Sequence, residues 1–139
     1  KQKIECEEFV RQRKLPVTFT GFLNQTEIVQ AYVASDCLVL PSDYGETWGL
    51  VVNEAMACGL PVIVSDHVGC HKDLVYSGQT GDIFPFGDHN ALAELLVLFS
   101  SNPANVRSMG KRAKQKVADY SVENVVKGCI EAIKFVCKN

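Results

Sequence analysis

Two short runs of the chain are apolar throughout: CLVLP at residues 37–41 and PVIVS at 61–65, Ser65 aside. Strand-length runs without polar alternation suit strands covered on both faces. Between them lies GLVVNEAMAC, residues 49–58, which reads as a helix closed by Gly59 with Pro61 beyond. Glycine just past a helix and proline after it are the expected C-terminal punctuation. A buried strand, a helix and a second buried strand imply a parallel sheet, hence an α/β fold.

The flanks extend this pattern. Residues 3–13 read as the end of a surface helix stopped at Leu15-Pro16. VTFTGF, 17–22, is β-branched and aromatic and reads as a short strand broken by Gly21. Asn24 with Glu27 forms a capping box for a helix ending at Asp36, with Ile28, Ala31, Tyr32 and Ser35 on one face. SDYGETW, 42–48, is a loop. Residues 66–80 are loop with a helical turn near 72–76, and GDIF, 81–84, is a short strand. Three helices follow over 88–137, capped by Asp88, by Asn102 with Pro103, and by Ser121. Their inward stripes are Leu92, Leu95, Leu96 and Phe99; then Val106, Met109, Ala113 and Val117; then Val122, Val125, Val126, Cys129 and Ile133.

The 139 residues suit one domain, and 47% apolar content supplies a core. Fourteen basic against sixteen acidic residues leave a net charge of −2, with no basic stripe for nucleic acid. No apolar run approaches the ~18 residues of a membrane span. Lys1 opens the chain within charged, helix-like sequence, so a piece of something longer is expected. Six cysteines, Cys6, Cys37, Cys58, Cys70, Cys129 and Cys137, contain no C-x-x-C pair. They read as reduced thiols of a cytoplasmic protein. His67, Cys70 and His71 have metal-like side chains at a spacing that fits no zinc pattern.

In parallel α/β sheets, ligands bind beyond the C-terminal ends of strands. Here that edge includes residues 41–49 and 65–70. The helix opening at Gly49 and Leu50 presents unpaired N–H groups and partial positive charge, an anion site suited to phosphate. Gly49 lets a ligand approach the backbone. The carboxylates of Glu46 and Glu54 suit vicinal hydroxyls, as on a sugar. Glu46 is otherwise a loop acid stabilised by the helix end, and Glu54 an exposed or paired helix residue. His67 reads as a plain loop histidine or a sugar contact.

PS-x₃-E-x₂-GL-x₃-EAMA-x-G-x-PV, from Pro41 to Val62, closely resembles the retaining nucleotide-sugar glycosyltransferases of family 4 in the GT-B fold. The Glu–seven residues–Glu hallmark is Glu46, TWGLVVN, Glu54. VTFTGFLNQTEIVQAYVASDCLVLPS resembles the family's strand–helix–strand lead-in, VGCHKDLV its G-G-x-x-E-L-V loop, and TGDIFPFGD its T-G-x-L-x-x-x-G-D element. The resemblance implies a partial Rossmann-like domain over 1–139, the truncated donor-binding domain of such an enzyme. Glu54 would bond the donor ribose. Glu46, the catalytic candidate, would touch the transferred sugar. Backbone N–H groups of Thr47, Trp48 and Gly49 would border that sugar, and those of Leu50 and Val51 the distal phosphate. Cys70 replaces a family glycine, Asp73 a glutamate, and Trp48 a Phe or small residue, which would narrow the sugar pocket.

The resemblance implies no metal and no cofactor, a nucleoside diphosphate sugar being the substrate, and no D-x-D pair occurs. The acceptor would be held by a missing N-terminal domain, and peripheral membrane association of the full-length protein is left open. The family's Arg and Lys for the diphosphate have no counterpart here, so the piece alone is expected to bind donor weakly and not to turn over. In a 3-2-1-4-5-6 sheet, with VTFTGF third and CLVL fourth, the strands between are missing, and open edges would favour self-association. Two other functions compete. One is a noncatalytic nucleotide- or partner-binding module. The other is a hydrolase with Glu46 and Glu54 as paired carboxylates, ~5–9.5 Å apart across one cleft.

Overall fold

The computed structural model describes residues 2–137. In chain order the elements are α1 (Gln2–Arg13), α2 (Gln25–Val33), β1 (Leu38–Leu40), α3 (Leu50–Ala57), β2 (Val62–Ser65) and α4 (His71–Leu74). They continue with β3 (Gly81–Phe84), α5 (His89–Ser101), α6 (Pro103–Val117), a 3₁₀ turn (Ala118–Tyr120) and α7 (Val122–Val136). The sheet is parallel in the order β1-β2-β3, with Leu38 opposite Val62 and Val62 opposite Gly81.

The core divides across the sheet because successive strand residues face opposite ways. Val62 and Val64 pack with Val52, Ala55 and Met56 of α3 and with Ala113 and Val117 of α6. Ile63 faces the other way, into Phe84, Phe99, Val106 and Met109. β2 is therefore buried at every position. β1 is not. All three of its residues are half-buried, because β1 is an edge strand that, among the described residues, pairs only with β2.

Helix ends follow the local signals. The Asn24 side chain accepts the Thr26 and Glu27 amides while Glu27 accepts the Asn24 amide, completing the capping box. Asp88, Asn102 and Ser121 cap α5, α6 and α7. α2 stops at Val33, short of Asp36.

Besides the half-exposed β1, three expectations are corrected, the first being Leu96 of the α5 stripe, which is exposed. Residues 17–22 form no strand. Their β-branched and aromatic side chains find no neighbouring strand, and Val17, Phe19 and Phe22 are exposed. β-propensity acts only through pairing and packing of that kind. The stripe of α7 is amphipathic as expected but turns to solvent. Val122, Val125, Val126 and Ile133 are exposed, and no residue of α7 is buried.

Candidate functional site

The loop after β1 is a tight, self-bonded turn. The Asp43 side chain accepts the Gly45 amide at 2.8 Å, and the Asp43 carbonyl accepts the Glu46 amide at 3.1 Å. Glu46 then reaches forward, and its Oε1 accepts the amide hydrogen of Gly49 at 3.0 Å. Glu46 thus caps the start of α3, where a carboxylate is favoured by the helix dipole. Gly49 has φ +93°, and a Cβ there would stand 2.9 Å from Val68 Cγ1 and 3.2 Å from Leu40 Cδ2. The glycine is thus required by the left-handed backbone and by the core beneath it. This corrects the expectation that its bareness serves ligand approach.

The loop after β2 is laced to this turn. Ser65 Oγ donates to the Ser42 carbonyl. The Gly69 amide donates to the Glu46 carbonyl at 3.4 Å and the Cys70 amide to the Trp48 carbonyl at 2.9 Å. The two C-terminal strand ends thus form one backbone platform below the first turn of α3. The amides of Leu50 and Val51 have no acceptor four residues back within the helix. Leu50 is exposed and Val51 half-buried, while Thr47 is exposed.

Trp48 is half-buried. Its Nε1–H donates to Asn53 Oδ1 at 2.8 Å, and its ring lies 6.0 Å from that of Tyr120. The indole therefore lies along α3 with its polar atom satisfied.

Glu54 is exposed yet paired. Its Oε2 accepts a hydrogen bond from the Tyr32 hydroxyl at 2.9 Å, linking α3 to α2. Tyr32 is 6% exposed. Burial first, then the bond to Glu54 and the neighbouring charge, push its phenol up to about 12. At neutral pH the hydroxyl is a donor. Glu54 lines two clefts. One, of about 270 Å³, includes Ile28, Tyr32 and Cys58. The other, of about 450 Å³, includes Asn53, Lys114 and Tyr120. Glu46 lines neither. The two acids therefore do not face each other across either cleft, as paired-carboxylate hydrolysis requires. They stand along α3, Glu46 before its first turn and Glu54 four residues beyond Leu50, about 6 Å further along the axis.

His67 is held in a stack rather than left free in its loop. Its ring is stacked on Tyr44 at 3.6 Å and on Phe86 at 4.8 Å, joining the loops after β1, β2 and β3. Its Nδ1 is buried without a hydrogen-bond partner among the described residues. Cys70 is fully buried, and burial pushes its thiol up to about 11. The His71 ring nitrogen Nδ1 meets the Val68 carbonyl at 2.7 Å. Among the described residues no group of three or more His, Cys, Asp or Glu is arranged to hold a metal. All six cysteines are unpaired, and no described helix is long and apolar enough to cross a membrane.

Sequence reasoning missed Tyr32, Asn53, Tyr44 and Phe86 as site residues. For Tyr32 the signal available was a phenol on the inward face of α2, which needs a hydrogen-bond partner when buried. The other three carry no local signature.

The family model for glycosyl transferases group 1 matches residues 3–116. Sulfoquinovosyl transferase of Arabidopsis thaliana is 36% identical over 110 residues, 76% of this chain and 21% of that protein. A D-inositol 3-phosphate glycosyltransferase of Rhodococcus opacus is 32% identical over 123 residues, 88% of this chain and 27% of the relative. Sucrose-phosphate synthase from Thermosynechococcus elongatus superposes with a TM-score of 0.82 at 33% identity, covering 98% of this chain and 35% of that one. Anabaena HepE, solved in complex with UDP, shares the fold with a TM-score of 0.84 at 24% identity, covering 94% and 36%. The chain thus spans about a quarter of the length of these curated relatives and about a third of these solved chains. Its architecture is that of the C-terminal domain of GT-B enzymes. On the family match over residues 3–116 and the relatives at 36% and 32% identity, the chain belongs to the glycosyl transferases group 1 family.

Proposed function

We propose that this chain is the donor-binding portion of a retaining glycosyltransferase that moves a sugar from a nucleoside diphosphate sugar to an acceptor. The observation that carries the reading is the placement of the α3 N-terminus. Its first-turn amides open at the C-terminal edge of a parallel sheet, with Glu46 bonded to the Gly49 amide ahead of them and Glu54 further along the helix. Amides suit a diphosphate and carboxylates suit hydroxyls, so an extended ligand is matched along α3.

In this reading the Leu50 and Val51 amides take the distal phosphate, and Glu54 takes the ribose. Glu46, held by the Gly49 amide, meets the sugar together with the backbone N–H groups of Thr47 and Trp48. Negative charge builds on the diphosphate as the glycosidic bond breaks, and pre-oriented amides stabilise it without reorganising. UDP or UDP-glucose bound to HepE, a protein of this fold, supports a nucleotide-sugar donor. The acceptor belongs to the part of the enzyme beyond this chain. No metal or cofactor enters the proposal.

The chain alone is proposed to bind donor weakly and not to turn over. Glu46 already occupies the Gly49 amide, and two carboxylates beside a diphosphate repel it. Titration calorimetry with UDP, GDP and ADP tests this. Binding in the mM range, ~4 kcal/mol, is expected, and micromolar binding by the chain alone would overturn it. For the intact protein, release of nucleoside diphosphate from a nucleotide sugar with acceptor present tests the transfer. Retention is read from the anomeric configuration of the product.

A further inference from the structure

We infer that Tyr32 is a positioning residue of the donor site, orienting the Glu54 carboxylate so that its second oxygen faces the ribose hydroxyls. The inference rests on the proposed ribose role of Glu54. It adds a residue of another helix, 22 positions earlier in the chain.

Three observations carry it. First, Tyr32 is the one buried residue of α2, and its only side-chain hydrogen bond among the described residues goes to Glu54 Oε2, at 2.9 Å. Second, the Glu54 carboxylate is exposed and has no cationic partner among the described residues, so nothing else fixes its rotamer. An unheld glutamate at a surface samples several rotamers, and each bond it makes to a ligand must offset that lost freedom. Third, Glu54 forms part of both clefts that flank α3, and Tyr32 lines only the one toward α2. The phenol therefore anchors one carboxylate oxygen from the α2 side and leaves the other free to accept. A carboxylate has about four lone-pair sites, so one bond from Tyr32 leaves ample capacity for a diol.

A merely structural role, stapling α2 to α3, would lower stability without changing what the site recognises. The test therefore compares ligands that differ only at the ribose. In the intact protein, affinities are measured by calorimetry for the tightest binder among UDP, GDP and ADP and for its 2′,3′-dideoxy counterpart. Wild type, Tyr32→Phe and Glu54→Gln are compared. Tyr32→Phe keeps the buried ring and removes only the donor. It is expected to cut the preference for the ribonucleotide by roughly 3–10-fold while affinity for the dideoxy ligand stays within about twofold. A Tyr32→Phe preference equal to wild type, with the preference lost in Glu54→Gln, would overturn the inference and leave the ribose reading standing. An equal loss for both ligands in Tyr32→Phe would also overturn it, as the mark of a packing role. A preference unchanged in Glu54→Gln would overturn the ribose reading itself. Should Tyr32→Phe fail to fold, 3-fluorotyrosine at position 32 serves, because its more acidic hydroxyl donates more strongly. A raised preference supports the inference and an unchanged one contradicts it.

Discussion

Gly69 faces the carbonyl of Thr47 so closely that a Cβ would stand 1.9 Å from the oxygen. The neighbour is backbone and cannot swing aside. The contact locks the loop after β2 onto the loop carrying Glu46, and the Gly69 amide donates to the Glu46 carbonyl beside it. Gly69→Ala should push the Glu46 loop away from the sheet edge. A stability loss of about 1–3 kcal/mol is expected by denaturant unfolding, with weaker donor binding in the intact protein. A variant as stable as wild type would show that the two loops are not locked.

Gly49→Ala should be worse tolerated than an ordinary helix substitution. It forces an L-residue to φ +93° and sets a methyl 2.9 Å from Val68 Cγ1. The left-handed backbone alone costs about 1–2 kcal/mol, and crowding adds to it. Thermal unfolding checks this, and recovery by Val68→Ala in the double variant would separate the steric part from the backbone part.

The face of α7 should behave in the opposite way. Val125 and Ile133 are 59% and 62% exposed. Replacing both with Lys should change unfolding free energy by no more than about 0.5 kcal/mol per site. The same change should reduce association of the isolated chain in light scattering, since exposed apolar stripes drive it. A large loss of stability would mean that α7 is packed in solution.

Tyr32 links stability to alkaline pH. Its phenol titrates near 12 in the fold, raised by burial and then by Glu54, against 10.0 in the unfolded chain. The stability from the protonated hydroxyl is fully present below pH 10 and is lost as pH rises through about 12. Unfolding free energy should therefore fall over that window in wild type and less steeply in Tyr32→Phe. Parallel curves would show that the phenol does not titrate late.

Much of this was legible because it is local. The Asn24–Glu27 box, the caps at Asp88, Asn102 and Ser121, and the α6 stripe of Val106, Met109, Ala113 and Val117 each depend on residues within a few turns. The failures share a cause. VTFTGF has strand chemistry, but a strand exists only against a neighbour. CLVL is apolar enough for burial on both faces, yet β1 sits at an edge. The α7 stripe shows amphipathicity without showing what covers it. At the candidate site, the glycine and apolar pattern placed the start of a helix at Gly49 and Leu50, where α3 begins. The Glu54–Tyr32 bond, the Trp48–Asn53 bond and the Tyr44–His67–Phe86 stack were not legible. The first and last join elements distant in sequence, and the second depends on a rotamer. Gly49 was noticed for a reason that the structure replaces, since Val68 and Leu40 occupy the space beside it.

The proposed ribose role of Glu54 places the pentose of a nucleotide donor along the start of α3. Its most direct test is calorimetric titration of the intact protein, wild type against Glu54→Ala, with the nucleoside diphosphate that it binds tightest. Loss of a charge-assisted hydrogen-bond acceptor should weaken binding roughly 10–100-fold. A change of less than about twofold would contradict the claim.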